Sequence, residues 1–424
     1  MILFYRWLTN IFYPILIIFI FVRKIFNKED KLRYKEKIFP SYFNISKKRG
    51  KKLFWFHAAS VGELRSILPI LEELDNKDFE FLITTVTLSS GNLAKEEFKN
   101  FKNLSHRYLP IDSTFLMERF LNSWKPNAIF LVDSEIWPNL ILIAKKLKIP
   151  IALINGRMTQ KSFQRWFFAK KFAKIIFSSL NLCLASSVET KDFLLKLGAR
   201  EVLYTGNIKF ICPKKIVTTI GLNENFLSKN IFWVAASTHR DEETLCLQTH
   251  LKIKKKFKDI ITVIAPRHVE RVKEIKLMCD KLNLRSIIID KGQAMNTNYE
   301  IFIINFYGGL NQYFKYSKST FVGKSTLKRL EKTGGQNPID AARFGCKIYH
   351  GPFINNFKEI YEILHKNKIS EKIHDSNELS SFIMNDLNDK GEEFNKSELI
   401  LEELSKKISY ETMKSIKRFL SNAI

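Results

Sequence analysis

A glutamate in the first turn of a helix, just past the end of an apolar strand, can take a proton from a bound hydroxyl. Glu63 holds that position in FWFHAASVGELRSILPILEEL, residues 54–74. Leu53–Phe56 reads as a buried parallel strand, and His57-Ala58-Ala59-Ser60 as a turn of small residues with room for a ligand. Leu64, Ile67, Leu68 and Leu71 then recur at helical spacing. Gly62 and Glu63 fall at the hinge, where free N–H groups and the helix dipole are expected to keep a carboxylate ionised. The same position also serves a glutamate that only complements the dipole, so the residue type alone leaves both roles open.

Three further segments of the first half carry chemistry after strand-like runs. VDSEIWPNLI (132–141) presents Glu135 and Trp137, an acid and an aromatic suited to a sugar, with Pro138 near a helix start. NGRMTQKSFQRW (155–166) presents Arg157, Lys161 and Arg165, a positive ridge fit for a phosphorylated acceptor or simply a solvated face. GNIKF (206–210) ends the half with Lys209.

The second half repeats the arrangement. AASTHRDEE (235–243) offers Ser237 or Thr238 as a helix N-cap with acids behind it, which leaves His239 unexplained. APRHVERV (265–272) exposes Arg267 and His268 after Pro266, and arginine binds phosphate through two parallel hydrogen bonds. In TGGQNPIDAARFG (333–345), Gly334 and Gly335 allow close backbone approach. Asn337 can cap, Pro338 suits a first helical position and Asp340 completes a capping box, a helix end on which a phosphate could sit.

The elements that must position these residues alternate. Strand runs are expected at Leu53–Phe56, Phe79–Thr85, Ala128–Val132, Ile151–Ile154, Leu182–Ala185 and Val202–Thr205. After a connector at 211–228 they resume at Ile231–Ala236, Ile260–Ala265, Ser286–Ile289, Ile301–Ile304, Ser319–Val322 and Lys347–His350. Strands alternating with helical patterns predict parallel sheets covered by helices. Two such halves, 50–210 and 229–375, predict a cleft with ligands at the carboxyl ends of the strands. A helical tail follows at 376–424. Ahead of everything, residues 1–22 are strongly apolar and a basic flank runs to Lys37. About 20 residues just suffice for a bilayer, although Arg6 and Pro14 leave an interfacial anchor equally open. The positive flank predicts cytoplasmic domains.

Composition narrows the partners. The 69 Lys+Arg against 43 Asp+Glu give +26 over 424 residues, which calls for an anionic partner: nucleic acid, an acidic membrane or a phosphorylated substrate. No basic–aromatic nucleic-acid module is present. The five cysteines are scattered, without metal spacing, and read as reduced thiols. No GxxxxGK[ST] and no GxGxxG follows a strand, so neither a P-loop nor a dinucleotide cofactor is expected. The absence of an acidic pair at a strand end argues against a metal-held nucleotide.

Taken together, HAASVGE, SEIWPN, GNIKF, ASTH, PRH, GGQNP and GPFINNF occur in the order and spacing of the 3-deoxy-D-manno-octulosonic acid (Kdo) transferases, which the chain resembles to about residue 360. The resemblance implies a GT-B fold: two Rossmann-like domains facing a cleft, with an N-terminal membrane-anchor helix. It implies transfer of Kdo from CMP-Kdo to lipid A precursor at the bacterial inner membrane, on anionic lipid, with no cofactor, no metal and no nucleic acid. By position, Glu63 matches the family's base, and Glu135 and Lys209 its transition-state support. Ser60, Gly62, Arg157 and Lys161 fall to the acceptor. Ser237, His239, Pro266, Arg267, His268, Gly308, Gly309, Leu310, Gly335, Gln336, Asn337 and Asp340 fall to CMP. Gln336 replaces the family's usual His, Asp340 its Glu, and NFYGGL (305–310) its D-T-x-G-E-L. A sugar-nucleotide epimerase of the same architecture, or a basic nucleic-acid-binding protein, is the other class to be separated.

Overall fold

The computed structural model describes residues 1–43, 50–99, 101–211, 222–389 and 392–423, and the side chains of these except 392–398 and 423. The chain divides into two compact units, Met1–Lys214 with Ser405–Ile424, and Lys215–Leu404.

The first unit holds β1 (Lys52–His57), β2 (Phe79–Thr85), β3 (Leu104–Tyr108), β4 (Ala128–Val132), β5 (Ile151–Gly156), β6 (Leu182–Ala185) and β7 (Val202–Tyr204). They form one sheet in the order β3-β2-β1-β4-β5-β6-β7, every pair parallel. Trp55, Ile129, Leu131, Ile151 and Leu153 pack with Leu116, Phe120, Leu140, Phe177 and Leu194 of the connecting helices in one core. The strands read as continuous apolar runs because helices bury them.

The second unit holds β8 (Phe232–Thr238), β9 (Ile261–Pro266), β10 (Ser286–Ile289), β11 (Ile301–Ile304), β12 (Ser319–Val322), β13 (Lys347–His350) and β14 (Ser370–Lys372). Their order is β10-β11-β9-β8-β12-β13-β14, again all parallel. Strand order reverses between β1 and β4 in one sheet and between β8 and β12 in the other. Each reversal opens a crevice at the carboxyl ends, where doubly wound sheets take ligands.

Two strands, β3 (LSHRY) and β14 (SEK), were not among those expected. Both are short and polar and lie at or toward a sheet edge, where no apolar run is needed. Of the expected connector, 212–221 lies outside the described residues, and Glu224–Lys229 forms a short helix of the second unit. The tail is helical, as Ser376–Asn388 and Glu392–Ala423, but from Ser405 onward it belongs to the first unit. There Phe419 meets Phe130 with ring centroids 5.6 Å apart, and Lys417 pairs with Glu73 at 2.9 Å.

The apolar N-terminus forms two helices, Ile2–Ile11 and Tyr13–Ile25, bent by 50° at the break before Pro14. Among the described residues no single helix is long and apolar enough to cross a membrane; the bent pair together meets that length and composition. One face of the pair is docked on the first unit. Tyr5 Oη donates to Asp112 Oδ2 (3.0 Å), Asn139 Nδ2 donates to Thr9 Oγ1 (3.1 Å), and Ile20 is buried with Tyr34 and Ile38. The other face exposes Leu3, Phe4, Trp7, Ile15, Ile18 and Phe19. In the flank, Lys37 is buried on Glu29, and Arg23 and Arg33 are paired with Glu29 and Glu36 at 2.6 and 2.8 Å. Much of that basic stretch is therefore engaged within the fold.

Candidate active site

At the crevice of the first unit, His57 ends β1, Glu63 stands in the first turn of the helix Val61–Leu74, Asp133 and Glu135 follow β4, and Asn155 lies in β5. Ser60 caps the helix Val61–Leu74. Its Oγ accepts from Glu63 N (3.4 Å) and donates to Glu63 Oε1 (2.7 Å), while Ala59 N donates to Oε2 (2.8 Å). Two donors thus hold the carboxylate in place. The helix end is not the only influence on its charge. Burial pushes Glu63 above its ordinary range, and the nearby Asp133 and Glu135 charges add to this, outweighing the two hydrogen bonds. A raised carboxylate is the stronger base.

Glu135 is clamped through one oxygen. His57 Nε2 lies 3.2 Å from Oε2 and Trp137 Nε1 donates to the same atom at 2.8 Å. Behind it, the fully buried His57 places Nδ1 2.9 Å from Thr84 Oγ1, which accepts from Trp55 Nε1 at 2.8 Å. With His57 protonated at Nε2, Trp55 donates to Thr84 Oγ1, Thr84 Oγ1 to His57 Nδ1, and His57 Nε2–H to Glu135, while the Thr84 carbonyl also lies 3.2 Å from Nδ1. The relay fixes the carboxylate and its tautomeric partner together.

Lys209, on the short turn Ile208–Phe210, donates to Asp133 Oδ2 at 2.8 Å. Asn155 Nδ2 donates to the other Asp133 oxygen, and Asn155 Oδ1 accepts from Ile208 N at 2.9 Å. Asp133 is therefore the post that ties β4, β5 and the lysine-bearing turn together. Sequence reasoning passed over Asp133, Asn155, His57 and Thr84. For Asp133 and Asn155 the available signal was an Asp or Asn directly after the apolar runs Ala128–Val132 and Ile151–Ile154. Both adopt positive φ (56° and 53°), a conformation these residue types tolerate.

Of the residues that the resemblance gives to the acceptor, Gly62 is exposed with open space where a Cβ would stand. Arg157 follows β5, its backbone N donating to Asp133 O at 3.1 Å, and Lys161 is exposed on the helix Gln160–Phe168.

In the second unit the remaining residues gather at the carboxyl edge of the sheet. Ser237 (φ 55°) and His239 close β8, and Pro266, Arg267 and His268 close β9. Gly308–Leu310 follow β11, and Gly335–Asn337 follow β12. His239 and His268 rings lie 5.6 Å apart, while Arg267 and His268 are exposed. Burial holds the His239 imidazole below its usual range, with His268 and Lys324 pushing the same way.

Three local expectations are corrected here. Ser237 and Thr238 remain in the strand, so the helix Glu242–Lys254 is not capped by either. Its first acids do more than complement a dipole. The fully buried Glu242 carboxylate accepts from His239 N (2.9 Å) and from Lys324 N, Ser325 N and Thr326 N (2.6, 2.9 and 3.1 Å). Gly335 N in turn donates to Lys324 O at 2.6 Å. Glu242 thus fixes the loops after β8 and β12, and through them the Gly334–Gly335 turn. Lastly, Asp340 closes no capping box. It is exposed, 3.9 Å from Arg343, in a helix of only five residues, Ile339–Arg343, whose dipole is correspondingly small.

Among the described residues no group of His, Cys, Asp or Glu is arranged to hold a metal ion. Cys183, Cys246, Cys279 and Cys346 are free and buried; Cys212 lies outside the described residues.

Two doubly wound parallel sheets, each with a crevice at the carboxyl ends of its strands, define a GT-B-type fold. UDP-GlcNAc 2-epimerase from Neisseria meningitidis shares this fold at TM-score 0.58 and 14% identity, covering 86% of this chain and 100% of its own. A family model described as 3-Deoxy-D-manno-octulosonic-acid transferase (kdotransferase) matches residues 33–212. A 3-deoxy-D-manno-octulosonic acid transferase of Rickettsia bellii is 30% identical over 386 residues, 89% of each chain. A probable mitochondrial one of Arabidopsis thaliana is 30% identical over 74% of this chain and 71% of its own. The chain belongs to the 3-deoxy-D-manno-octulosonic acid transferase family and is a glycosyltransferase, which sets the epimerase and nucleic-acid readings aside.

Proposed function

We propose that the protein transfers Kdo from CMP-Kdo to a lipid A precursor at the cytoplasmic face of the inner membrane, with inversion at the anomeric carbon. The observation that carries this reading is the state of Glu63. It is a carboxylate held by two donors, pushed up by burial, beside an exposed glycine that leaves open space. Glu63 takes the proton from the acceptor hydroxyl as oxygen attacks the anomeric carbon, and the bond to the CMP phosphate breaks. One base and one displacement invert the centre. Glu135, fixed by His57 and Trp137, and Lys209, fixed by Asp133, carry charge around the reacting sugar. Arg267 and the histidines near it meet the charge on departing CMP. The docked N-terminal helices, with their exposed apolar face, support attachment to the membrane that holds the acceptor.

Incubation with CMP-Kdo and lipid A precursor, followed by product mass and anomeric NMR, tests the reading. A product heavier by one or more Kdo residues, with inverted configuration, is expected. CMP-Kdo hydrolysis without transfer refutes the acceptor, and retained configuration refutes the single displacement.

A further inference from the structure

A second apolar and basic surface stands on the first unit, outside the residues given to the reaction. The helices Gln160–Phe168 and Lys170–Phe177 meet at a bend on Ala169. The first buries none of its residues. The second buries Phe172, Ala173, Ile176 and Phe177 and turns Lys170, Lys171, Lys174 and Ile175 outward. At the bend, Phe168 is 96% exposed and Phe167 44%, with Lys170 Nζ 5.3 Å from the Phe167 ring centroid. Two adjacent exposed phenylalanines form an apolar corner, and contiguous exposed apolar surface rimmed by polar residues marks interaction sites.

The sequence around them selects the partner's charge. From Ile136 to Val188 there is no aspartate or glutamate, while nine lysines and arginines occur. The place selects its kind. Phe172, on the inward face of the second helix, meets Tyr5 with ring centroids 5.9 Å apart, so the bend adjoins the helix that exposes Leu3, Phe4 and Trp7. We propose that the Phe167–Phe168 corner and Lys170, Lys171 and Lys174 dock on the surface of an anionic phospholipid bilayer, as a second membrane contact of the acceptor-side unit. The phenylalanines enter the headgroup boundary and the lysines remain among the phosphates, their stems lying along the apolar surface. This deepens the membrane reading above but stands on separate residues.

The test uses the full chain with Cys212→Ser, which leaves four buried cysteines, and Phe168→Cys carrying a polarity-sensitive fluorophore. On phosphatidylcholine vesicles containing phosphatidylglycerol, the label should shift to the blue and be quenched by a nitroxide lipid near the headgroup. Leu3→Cys, labelled likewise, reports the N-terminal helices. Quenching at Leu3 without quenching at Phe168 overturns this inference and leaves the N-terminal attachment standing; quenching at neither overturns both. Independently, joint Lys170→Glu, Lys171→Glu and Lys174→Glu should weaken binding to these vesicles at least tenfold, since each cation near the surface contributes about fivefold. CMP affinity should be unchanged. Undiminished vesicle binding by this variant would overturn the proposal.

Discussion

At the scale of single residues, the first crevice sets three carboxylates, Glu63, Asp133 and Glu135, against one lysine, and the environment separates their roles. Asp133 takes the lysine, Glu135 takes two ring N–H donors, and Glu63 is left with the raised affinity for protons. Replacing Glu63 by Gln should lower turnover by roughly 10² to 10⁴-fold, the usual contribution of a general base. CMP affinity should not change. The same residue fixes a pH dependence. Its folded value lies above the ordinary 4.5, so the folded state holds this proton more tightly than the unfolded chain. That contribution to stability is present below about pH 4.5 and is lost as pH rises through the folded value. Turnover should therefore fall on the acid side at a pH above the ordinary carboxylate range, and Glu63→Gln should not lower the melting temperature at neutral pH. Near-normal turnover in the variant would remove Glu63 from the mechanism. The Glu135 relay gives a second test. Thr84→Val keeps the volume but strands Trp55 Nε1 and leaves His57 Nδ1 only the Thr84 carbonyl at 3.2 Å, at a cost of about 1–3 kcal/mol. Turnover per folded molecule should drop with KM for CMP-Kdo unchanged, and Thr84→Ser should restore it. If Val and Ser behave alike, the hydroxyl does not orient Glu135.

At the scale of elements, twelve strands were legible because burial by helices demands unbroken apolar runs, and the run at Phe79–Thr85 matches its strand end to end. β3 was invisible for the opposite reason: its side chains His106 and Arg107 serve Thr85 and Glu36 instead of a core. Loops were legible only in part. The sequence marks Glu63, Glu135 and Lys209 by their place after strand runs, but Glu242 looks like an ordinary first-turn acid until its partners from 82 to 84 residues away are seen. Those partners make a prediction about the loops proposed to hold the donor. Glu242→Gln exchanges an acceptor oxygen for a donor amide facing backbone N–H groups, and hydrogen bonds to charged groups are worth about 1.5–3 kcal/mol each. Stability should fall by a few kcal/mol, with CMP affinity falling at least tenfold even at temperatures where the variant stays folded. Arg267→Ala, on an exposed side chain, should weaken CMP by a similar factor and leave the melting temperature alone. Calorimetric titration with CMP and thermal melts on both variants separate a residue that shapes the loop from one proposed to touch the phosphate; equal melting losses in the two would contradict the distinction.

At the scale of the whole molecule, the proposed attachment to an acidic membrane rests on the charge of +26 and the apolar N-terminus, and the two helices there have two different faces. Removing residues 1–22 outright would strip Tyr5 from Asp112, Thr9 from Asn139 and Ile20 from Ile38. Asp112 lies almost wholly buried, pushed up to about 6 by desolvation, and holds the backbone of Asn139 and Leu140 at the start of the helix after Trp137. Such a deletion therefore disturbs the crevice itself and cannot isolate membrane attachment. Replacing only the outward residues Leu3, Phe4, Trp7, Ile18 and Phe19 by Ser or Gln leaves the docked face intact. Each large apolar side chain withdrawn from lipid is worth about 1.5–3 kcal/mol, so the five together outweigh the roughly 1 kcal/mol that each surface cation contributes. The variant should keep its melting temperature and its turnover on acceptor dispersed in detergent. On anionic vesicles it should bind only in low salt, because what remains is electrostatic and screened within about 8 Å at physiological ionic strength. Binding that survives high salt would mean that the outward face of these helices is not what holds the protein to the membrane.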